Sequence, residues 1–585
     1  MIRDKKILIT GGLGFIGFNA ALHFAKNNTV SVIDNCSRIG VEHNIQQLSE
    51  IGVGFEQIDL SQFRKLRNYY YSCQPDIIIH MAAQVAVTLS IENPALDYQT
   101  NLQGSFNLLE LARTCHKTPI ILYASTNKVY GQKEQNVTKE NGRYCLRGME
   151  GYSEDSQLDF ETPYGCSKGA ADQYFIDYCR TYGVPTVVFR QSCIYGPHQF
   201  GMEDQGWLAW FAVCADSKMP ITVFGDGDQV RDVLYVDDLI KLYEKAAFNI
   251  DKVKGQAFNI GGGPNNTLSL NELICQLNKE TGHELAVSFS DWRLGDQKVY
   301  VSDINKVERL LDWRPKVPPE EGVTKLLSWI QGKRQNIADI YRKQKERKEK
   351  VDVSIVIPAR NEEECLASVL DEVGLLLENS TYRFEVVVVN DRSTDRTAEV
   401  AAGYPFAKLI DNIYSPGKGG ALRSGFDIAE GEYIAMMDAD FSHDAADLPY
   451  LIEEVSLHKG LVVGSRLTGG SEEYTRIRAF GNVILTWFFG FVHGRYMSDV
   501  LNGFKVFHRD VYHDFEYTSK NFEIEVELAV NSLRLKRPLT EVPSRERARM
   551  AGKMKSSAIK HGPLFLGRII YERFRIPKQK SATRA

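Results

Sequence analysis

The chain has 585 residues, and its 70 Lys and Arg against 75 Asp and Glu give a formal net charge of −5. This balance excludes the overall basicity typical of nucleic-acid-binding chains, so we expect no nucleic-acid partner. The apolar content of 43% is ordinary for globular protein. At roughly 100–200 residues per domain the length predicts three or more modules, or fewer if they are large α/β units.

Ten cysteines are present, nine of them before residue 280, and none forms a Cys-x-x-Cys pair. This usage favours reduced thiols in a cytoplasmic enzyme over a disulfide or zinc framework. The first six residues run directly into an apolar strand, which leaves no room for a signal peptide. We therefore expect a cytoplasmic location.

From residue 5 to about 330, short apolar runs alternate with amphipathic stretches. This alternation is typical of an α/β fold with a doubly wound parallel sheet of the Rossmann type. The runs are Ile7–Ile9, Val30–Ile33, Ile77–Ile79, Ile120–Tyr123 and Thr186–Phe189.

A glycine-rich turn follows the first apolar run, with glycines at 11, 14 and 17. Such a turn needs positive φ and close approach to a pyrophosphate, which the following helix N-terminus attracts. Asp34 ends the second strand, 17 residues after Gly17, where its carboxylate can hold the adenosine ribose hydroxyls. A carboxylate there repels a 2′-phosphate, so the pattern favours NAD over NADP. The nearby Arg38 leaves NADP as the alternative.

Tyr164 and Lys168 stand four residues apart, so on a helix they share one face. We expect the ammonium and a nicotinamide charge to lower the phenol pKa from about 10 toward the range of a general base. Thr126, four residues before Tyr130, supplies a hydroxyl for the same proton path. A lone Tyr-x-x-x-Lys pattern can be a solvated helix face. Here it follows both the glycine turn and Thr126 along the chain, and this order of all three elements argues for catalysis.

Over residues 5–330 these features resemble the extended short-chain dehydrogenase/reductase family of nucleotide-sugar epimerases and dehydratases. The further matching motifs are His80-Met81-Ala82-Ala83-Gln84, Asn101-x-x-Gly104-x-x-Asn107, Tyr195-Gly196-Pro197, Arg231-Asp232 and Arg293-x-Gly295-Asp296. The resemblance implies a homodimer formed through this domain, with a small substrate-binding subdomain. It assigns the substrate diphosphate to Arg231 and Arg293. It assigns the cofactor to Gly11, Gly14, Phe15, Ile16, Gly17, Asp34, Asn35, Arg38, Asp59, Leu60, Ala82, Gln84, Tyr164 and Lys168.

The residues after Thr126 bear on which reaction the domain catalyses. Family 4,6-dehydratases carry an Asp-Glu pair there, because elimination needs an acid and a base, whereas this chain has Asn127 and Lys128. A dehydratase is therefore disfavoured. The runs 126–131 and 192–207 resemble the CDP-paratose 2-epimerase branch, with Cys193 where many family members have Asn. A dehydrogenase, a reductase or a 4-epimerase remains the alternative.

Residues 331–350 contain eight Lys and Arg against three Asp and Glu, with no Gly or Pro after Gly332. This composition predicts a solvated, basic helical linker, and contact with an anionic membrane or nucleic acid is the alternative. A fresh βα alternation begins at Val353. We therefore predict an epimerase domain over 1–332, a linker over 333–350 and a second domain over 351–585.

The second domain has carboxylates at the ends of its predicted strands. Asp391 ends one strand and can hold a base and ribose, and Asp438 and Asp440 end the next. A hard divalent cation bridging a nucleotide diphosphate needs such oxygen ligands, and it neutralises the leaving group as the glycosidic bond breaks. The ordered set predicts nucleotide-sugar substrates, a Mg or Mn site at Asp438 and Asp440, and a catalytic role for Asp440.

From residue 353 to about 560 the chain resembles family 2 glycosyltransferases of the GT-A type, in particular the dolichol-phosphate mannose synthase group. The matching runs are 438–443, 464–466, 498–505 and Arg549-x-x-Gly552-x-x-Lys555. The resemblance implies that Asp391 binds the nucleotide, that Arg549 and Lys555 bind phosphate, and that the acceptor is a lipid phosphate or a glycan. A lipid phosphate is already a nucleophile and needs no general base.

Residues 480–492 are rich in Phe, Trp, Ile and Val. A helix of this length measures about 20 Å, too short to span about 30 Å of hydrocarbon. It is either a core helix or an interfacial helix, so we expect at most peripheral membrane contact at the inner membrane face. The whole pattern predicts a bifunctional enzyme, the alternative being a scaffold in which one domain only binds.

Overall fold

A computed structural model of the protein describes residues 2–131, 137–380, 382–473, 476–551, 558–576 and 578. The chain divides into two compact units, Met1–Lys345 and Glu346–Ala585. Each unit is described by itself.

The first unit alternates strands and helices along most of its length. Its strands are β1 (Lys6–Thr10), β2 (Thr29–Asp34), β3 (Gly54–Gln57), β4 (Ile77–His80), β5 (Ile120–Thr126), β6 (Val137–Glu140), β7 (Arg143–Leu146), β8 (Thr186–Gln191), β9 (Cys193–Tyr195), β10 (Ile221–Phe224), β11 (Val230–Tyr235), β12 (Gln256–Ile260), β13 (Thr267–Ser269), β14 (Val287–Ser290) and β15 (Val299–Tyr300). Its helices are α1 (Phe15–Phe24), α2 (Val41–Glu50), α3 (Phe63–Cys73), α4 (Val87–Glu92), α5 (Pro94–Asp97), α6 (Gly104–Thr114), α7 (Thr162–Tyr182), α8 (Trp207–Ser217), α9 (Val236–Phe248), α10 (Ile250–Val253), α11 (Leu270–Thr281), α12 (Asn305–Leu311), α13 (Pro319–Gly332) and α14 (Arg334–Glu349).

Seven strands form one parallel sheet in the order β12-β8-β5-β4-β1-β2-β3. The strand order reverses between β1 and β4, and in such sheets ligands bind beyond the carboxyl ends of the strands at the reversal. The predicted α/β fold with a doubly wound parallel sheet is confirmed.

The central strands are apolar on both faces because helices cover both sides of the sheet. Strand β4 reads Ile-Ile-Ile-His and is fully buried, and Ile7 to Ile9 of β1 are at most 1% exposed. Shorter strands lie outside this sheet: β13-β11-β15 with β9 beside β11, the parallel pair β10-β14, and the antiparallel pair β6-β7. These strands form small sheets of their own beside the seven-stranded sheet.

Helix α14 contains the residues expected to form a solvated linker. Its first half instead packs on the first unit, because Ile337 is 2% exposed and joins an apolar cluster with α8 and α13. Tyr341 donates a hydrogen bond to the Gly201 carbonyl, and Arg334 pairs with Asp216. The structure contains a helix here, and one face of its first half, at Ile337 and Ile340, is buried rather than solvated.

The second unit is a second α/β body. Its strands are β16 (Val353–Ala359), β17 (Phe384–Asn390), β18 (Ala407–Asp411), β19 (Tyr433–Met436), β20 (Leu461–Ser465), β21 (Lys505–His508) and β22 (Leu539–Pro543). Its helices are α15 (Leu366–Asn379), α16 (Thr397–Ala402), α17 (Lys418–Ile428), α18 (Leu448–His458), α19 (Arg466–Gly469), α20 (Arg476–His493), α21 (Asp510–His513), α22 (Ile524–Arg534) and α23 (Ala558–Phe574).

The strands of the second unit form one mixed sheet in the order β18-β17-β16-β19-β21-β20-β22. Strand β21 runs antiparallel to both of its neighbours, and the remaining pairs are parallel. Within the described part of the chain, no helix has the length and apolar character needed to cross a membrane.

Candidate active sites

The first unit contains a cavity of about 690 Å³ at the carboxyl ends of its central strands. Every residue of this unit that the sequence assigns to cofactor, substrate or catalysis lines that cavity. They are Gly11, Gly14, Phe15, Ile16, Gly17, Asp34, Asn35, Arg38, Asp59, Leu60, Ala82, Gln84, Thr126, Tyr164, Lys168, Arg231 and Arg293.

The three glycines of the first turn have different local surroundings. Gly11 has a φ of +66°, and a Cβ there would lie 2.6 Å from the Ala82 nitrogen. A Cβ on Gly17 would lie 2.3 Å from the Gly11 carbonyl oxygen, so this glycine permits α1 to approach the turn closely. Gly14 meets only that oxygen, at 3.3 Å, and its open side faces the cavity at the helix N-terminus. This geometry suits close approach by a pyrophosphate.

Asp34 at the end of β2 is buried, and its carboxylate accepts hydrogen bonds from the Leu13 nitrogen at 3.1 Å and the Cys36 nitrogen at 2.9 Å. Burial raises the pKa of Asp34, although these amides and Arg38 partly oppose the rise. Arg38 itself donates to the Gln205 side chain. Asn35 donates to Asp59 at 2.9 Å, so the carboxylates at the ribose end are held by the protein.

Tyr164 and Lys168 lie in the first turns of α7, which begins with Pro163 among its first helical residues. Lys168 Nζ donates to the Ala124 carbonyl oxygen at 2.7 Å and lies 4.3 Å from the Tyr123 ring centroid. Thr126 ends the adjacent strand β5. The structure therefore brings Thr126, Tyr164 and Lys168 together on one wall of the cavity.

Burial dominates the ionisation of this pair. It raises the pKa of Tyr164 to about 12, although the hydrogen bond with Thr126 opposes the rise. It lowers the pKa of Lys168 to about 7, although Asp172 and Asp97 oppose the fall. The protein residues alone thus do not lower the phenol pKa as expected, because desolvation outweighs the nearby cations. Two causes were expected to lower the phenol pKa, the Lys168 ammonium and the nicotinamide charge. Only the nicotinamide charge remains.

A buried hydrogen-bond network surrounds Gln84 at the border of the cavity. Asn101 lies in a π-helical turn (Tyr98–Gln103) and exchanges hydrogen bonds of 2.8 and 3.0 Å with the Gln84 main chain. Asn101 also donates to Ser167 at 3.1 Å, and Ser167 donates to Asp97. Sequence reasoning missed Asp97 and Ser167, although Ser167 lies inside the Tyr164–Lys168 run.

Another part of the cavity carries three basic side chains, two of which are paired with carboxylates. Arg231 donates to Asp296 at 2.7 Å, and Arg293 pairs with Asp204 at 3.2 Å and lies over the Phe224 ring. Lys128 lines the same cavity and donates to the Gly295 carbonyl at 2.9 Å. Sequence reasoning used Lys128 only to disfavour a dehydratase. Its position, where the family's dehydratases carry an acidic residue, was a signal that the side chain lines the cavity.

In the second unit, Asp391 follows β17 and is buried. Its carboxylate accepts hydrogen bonds from Asn412 Nδ2 at 2.6 Å and from the Gly417 nitrogen at 2.9 Å. Arg360 approaches it at 3.8 Å. The residue lies at the carboxyl edge of the parallel strands β16 and β17, where the sequence predicts a nucleotide site.

Asp438 and Asp440 follow β19, and each is ion-paired. Lys418 Nζ lies 2.8 Å from Asp438 Oδ1 and 3.2 Å from Glu525 Oε1. Burial disfavours ionisation of Asp438, but Lys418, His443 and Arg549 outweigh it and lower its pKa to about 2. Asp440 accepts a hydrogen bond from Arg549, so both carboxylates lie close to cations.

Arg549 donates a hydrogen bond to Asp440, which lies 109 residues earlier in the chain. The sequence predicts that both residues belong to one site, and the two side chains are in contact. Lys555 lies outside the described residues, so its position is not described. Sequence reasoning missed Lys418 and Glu525, because a single lysine at the start of α17 and a glutamate in α22 carry no recognisable spacing.

Comparisons with known proteins match each unit to a family. Residues 7–261 match the NAD dependent epimerase/dehydratase family, and residues 354–515 match glycosyl transferase family 2. The chain belongs to the NAD dependent epimerase/dehydratase family through its first unit and carries a glycosyl transferase family 2 domain in its second. The protein is therefore an enzyme that fuses an epimerase domain to a glycosyltransferase domain, and this prediction is confirmed.

Individual relatives cover the first unit. CDP-paratose 2-epimerase from Salmonella typhi is 44% identical over 335 residues, which are 55% of this chain and 98% of that protein. dTDP-glucose 4,6-dehydratase from Salmonella typhimurium is 30% identical over 342 residues, or 55% and 92%. The crystal structure of UDP-glucose 4-epimerase with UDP-glucose from Thermotoga maritima is 28% identical, with a TM-score of 0.50 over 56% of this chain and 98% of that one.

Proposed function

We propose that the first unit epimerises a nucleotide sugar at C2 and that NAD stays bound and is recycled within each turnover. The observation that carries this proposal is the single cavity that joins the glycine turn, the Thr126–Tyr164–Lys168 wall and the Arg231 end. The absence of an acidic pair at Asn127 and Lys128 argues against elimination. The 44% identity to CDP-paratose 2-epimerase supports C2 as the reacting carbon.

The residues of the cavity fit NAD. Gly14 leaves open space beside a helix N-terminus for the pyrophosphate, Asp34 and Asp59 lie at the ribose end, and Ala82 and Gln84 border the nicotinamide end. When bound there, NAD would supply the hydride acceptor and donor for the oxidation and reduction of the sugar. Arg38 is paired with Gln205, and Asp34 repels a 2′-phosphate, so we assign NAD rather than NADP.

The chain's own residues move the proton and hold the sugar. Tyr164 takes the proton of the reacting hydroxyl through its phenolic oxygen and gives it back after inversion, and Thr126 hydrogen-bonds the same oxygen. Lys168 stabilises the phenolate charge. Arg231 and Arg293 bind the diphosphate, since guanidinium groups suit phosphate oxygens. The sugar can then turn within the cavity while its diphosphate remains bound.

The alternative is a 4-epimerase, which the likeness to UDP-glucose 4-epimerase favours. The test is to incubate the protein with CDP-, UDP- and dTDP-hexoses and to follow the configuration at each carbon and the released nucleotide. Inversion at C2 without net reduction of NAD supports the proposal. Inversion at C4 alone favours the alternative, and stoichiometric reduced cofactor would establish a dehydrogenase instead.

For the second unit we propose GT-A-type transfer of a sugar from a nucleotide diphosphate. Asp391 holds the nucleoside, and Arg549 moves from Asp440 to the phosphates, where Lys555 joins it. Within the described residues no cluster of three or more His, Cys, Asp or Glu could hold a metal ion. Asp438 and Asp440 nevertheless supply the oxygen donors that Mg or Mn prefers, and the diphosphate would complete the coordination.

The metal assignment has its own test. Asp438→Asn and Asp440→Asn should each remove Mg- or Mn-dependent transfer and leave epimerisation unchanged, because these carboxylates lie in one unit only. Asp444→Asn is the matched control, since Asp444 caps the next turn and Asn is an equally good cap. Transfer that persists in chelator, or in both variants, would contradict the assignment.

We also propose that the acceptor is a lipid phosphate and that the second unit meets a membrane through an exposed apolar face. This face consists of Phe480, Val483, Ile484, Trp487 and Phe491 on α20 and Leu564, Ile570, Tyr571 and Phe574 on α23. Along α20 these residues recur at helical spacing and form one stripe. Monomeric proteins rarely expose a contiguous apolar surface of this kind without using it.

Helix α23 packs on the second unit through Phe565 and Ile569, which are buried. Two charged residues on the same side are held by ion pairs: Glu572 is 1% exposed and pairs with Arg534 at 2.8 Å, and Arg568 pairs with Glu527 at 2.6 Å. The other side of the helix carries exposed apolar residues, with Phe574 80% exposed. Exposed apolar side chains of this size gain free energy when they leave water, as they would at a membrane surface.

Charge supports an anionic bilayer as the partner of this face. Residues 553–585 carry nine Lys and Arg against one Glu. Basic residues near an anionic leaflet contribute about 1 kcal/mol each. The protein accordingly works in the cytoplasm, peripherally at the inner membrane face, where a lipid-phosphate acceptor is within reach.

We further propose that the protein is a homodimer through the first unit. Neighbouring helices α6 and α7 expose Phe106, Tyr174 and Tyr182, and the rings of Phe106 and Tyr174 lie 5.7 Å apart. Exposed aromatic side chains are enriched at interfaces between subunits. Sedimentation of Phe106→Glu beside the wild type tests this assignment, since a dimer formed elsewhere would be unaffected.

A further inference from the structure

Lys128 is a half-buried cation that the proposed reaction does not yet use. It lies in the 3₁₀ turn Asn127–Tyr130 directly after β5, and its main-chain nitrogen donates to Thr126 Oγ1 at 3.2 Å. Its side chain crosses to the substrate end, where Nζ donates to the Gly295 carbonyl at 2.9 Å. One residue therefore connects the catalytic threonine to the loop that carries Arg293 and Asp296.

The surroundings of Lys128 leave its ammonium available to a ligand. An ammonium has three donors, and Gly295 takes one of them. Burial lowers the pKa of Lys128 to about 8; Arg231 adds to the fall, and Asp296, Cys193 and Glu161 oppose it. A cation partly withdrawn from water loses hydration, which costs free energy unless its donors find other partners. An oxygen-rich sugar in the cavity would use them.

We propose that Lys128 is a specificity-determining residue that hydrogen-bonds the sugar during inversion and keeps the transient ketone from elimination. The inference rests on the C2 epimerisation proposed above. While C2 is a ketone, the protons on the neighbouring carbon are acidic. A carboxylate at this position could remove one of them, and the C–H electron pair would then expel a hydroxyl from the next carbon as hydroxide, which leaves as water once protonated.

An ammonium has no free electron pair, so it cannot take that proton. The oxidised sugar then has one outcome, which is return of the hydride to C2. Lys128 thus acts in two ways. Its donors hydrogen-bond oxygens of the sugar, and as an ammonium it leaves no base at this position. The family's 4,6-dehydratases carry an Asp-Glu pair at the positions of Asn127 and Lys128. In those enzymes the outcome is elimination, as expected when a carboxylate replaces the ammonium.

The experiment compares the wild type with Lys128→Arg, Lys128→Met and Lys128→Glu as full-length protein in deuterated water. The substrate is the CDP-hexose that the wild type epimerises. Three quantities are followed: the epimerisation rate, deuterium at the carbon next to C2, and reduced cofactor left on the protein. The NAD content and the unfolding transition of each variant report whether its fold is intact.

We expect Lys128→Arg to retain most of the rate, because it keeps the cation. Lys128→Met should lose about 10- to 100-fold, as expected for a charged hydrogen bond. Lys128→Glu should incorporate deuterium and accumulate reduced cofactor as sugar is lost by elimination. In the wild type, deuterium exchange at the carbon next to C2 should rise as the pH passes about 8, because Lys128 loses its proton there. The charged and titratable groups around Lys128 are Arg231, Asp296, Cys193 and Glu161. Lys128→Arg should show no such rise.

The proposal would be overturned if both Lys128→Met and Lys128→Glu epimerised at the wild-type rate and incorporated no deuterium at the carbon next to C2. Equal loss of bound NAD in all three variants would also overturn it, since the residue would then be structural. A wild type that inverts no nucleotide sugar at C2 would instead refute the proposed function itself. That result is seen before any variant is measured, so the two failures are distinguishable.

Discussion

Tyr164 is the residue on which the epimerase account depends most. Tyr164→Phe should lower epimerisation by about 10²–10⁴-fold, because a positioned acid–base group is lost, and should leave sugar transfer unchanged. The matched control is Tyr174→Phe on the same helix, whose side chain is 43% exposed. Parallel measurement of both activities checks the prediction. Equal damage to both would show that the sites are coupled or that the fold has suffered.

His80 at the end of β4 makes the first unit sensitive to acid. Burial lowers its pKa to about 3, and its ring contacts Thr10 Oγ1 at 2.6 Å and Ser105 Oγ at 2.9 Å. Above about pH 6.5 both folded and unfolded states hold a neutral ring. Between pH 6.5 and 3 only the unfolded state takes the proton, so stability should fall by up to about 1.4 kcal/mol per pH unit.

The check is thermal unfolding of the first unit between pH 7 and 5. His80→Asn should start less stable but lose stability less steeply as the pH falls. His116→Gln, at an exposed position, should keep the wild-type slope. Identical slopes in wild type and His80→Asn would refute this account of the acid sensitivity.

At the residue scale, the positions with strict geometric demands could be predicted from the sequence. Gly11 and Gly17 stand where a Cβ would clash, and Tyr164 and Lys168 are fixed by helical spacing. Lys418 could not be predicted, because its contact with Asp438 depends on how α17 packs against the end of β19. The pKa of Tyr164 was expected in the wrong direction for the protein alone, because burial cannot be read from a four-residue spacing.

At the element scale, the parallel sheet was predictable because its strands are short, apolar and separated by amphipathic helices. Helix α14 shows the limit of such reasoning. Its composition is that of a solvated linker, yet Ile337 is buried against the first unit. A single apolar residue in a charged stretch carries too little signal to predict which surface it contacts.

The exposed apolar face defined above gives an element-scale prediction. The protein should sediment with vesicles containing phosphatidylglycerol, and Trp487→Glu with Phe491→Glu should weaken that binding at least about tenfold, since two large aromatic residues no longer leave water. Leu457→Glu on α18 is the control, because Leu457 is equally exposed but lies outside the face. Equal loss in the control, or no binding by the wild type, would refute the membrane face.

At the scale of the whole molecule, the open question is why two nucleotide-sugar enzymes share one chain. If the first unit makes the donor of the second, fusion raises the local concentration of a nucleotide sugar that would otherwise diffuse away. Tyr164→Phe separates the two steps, since it prevents interconversion without touching the transferase. Transfer of only the epimerised sugar by this variant would establish a series, and equal use of the unepimerised sugar would exclude it.

The central claim is that the first unit inverts C2 by removing and returning the same hydride. The most direct measurement uses a CDP-hexose with deuterium at C2 and follows the label through the full-length protein by NMR. The account predicts an inverted C2 that retains its deuterium, with no net reduction of NAD. Loss of the label to solvent, or inversion at another carbon with C2 unchanged, would contradict it.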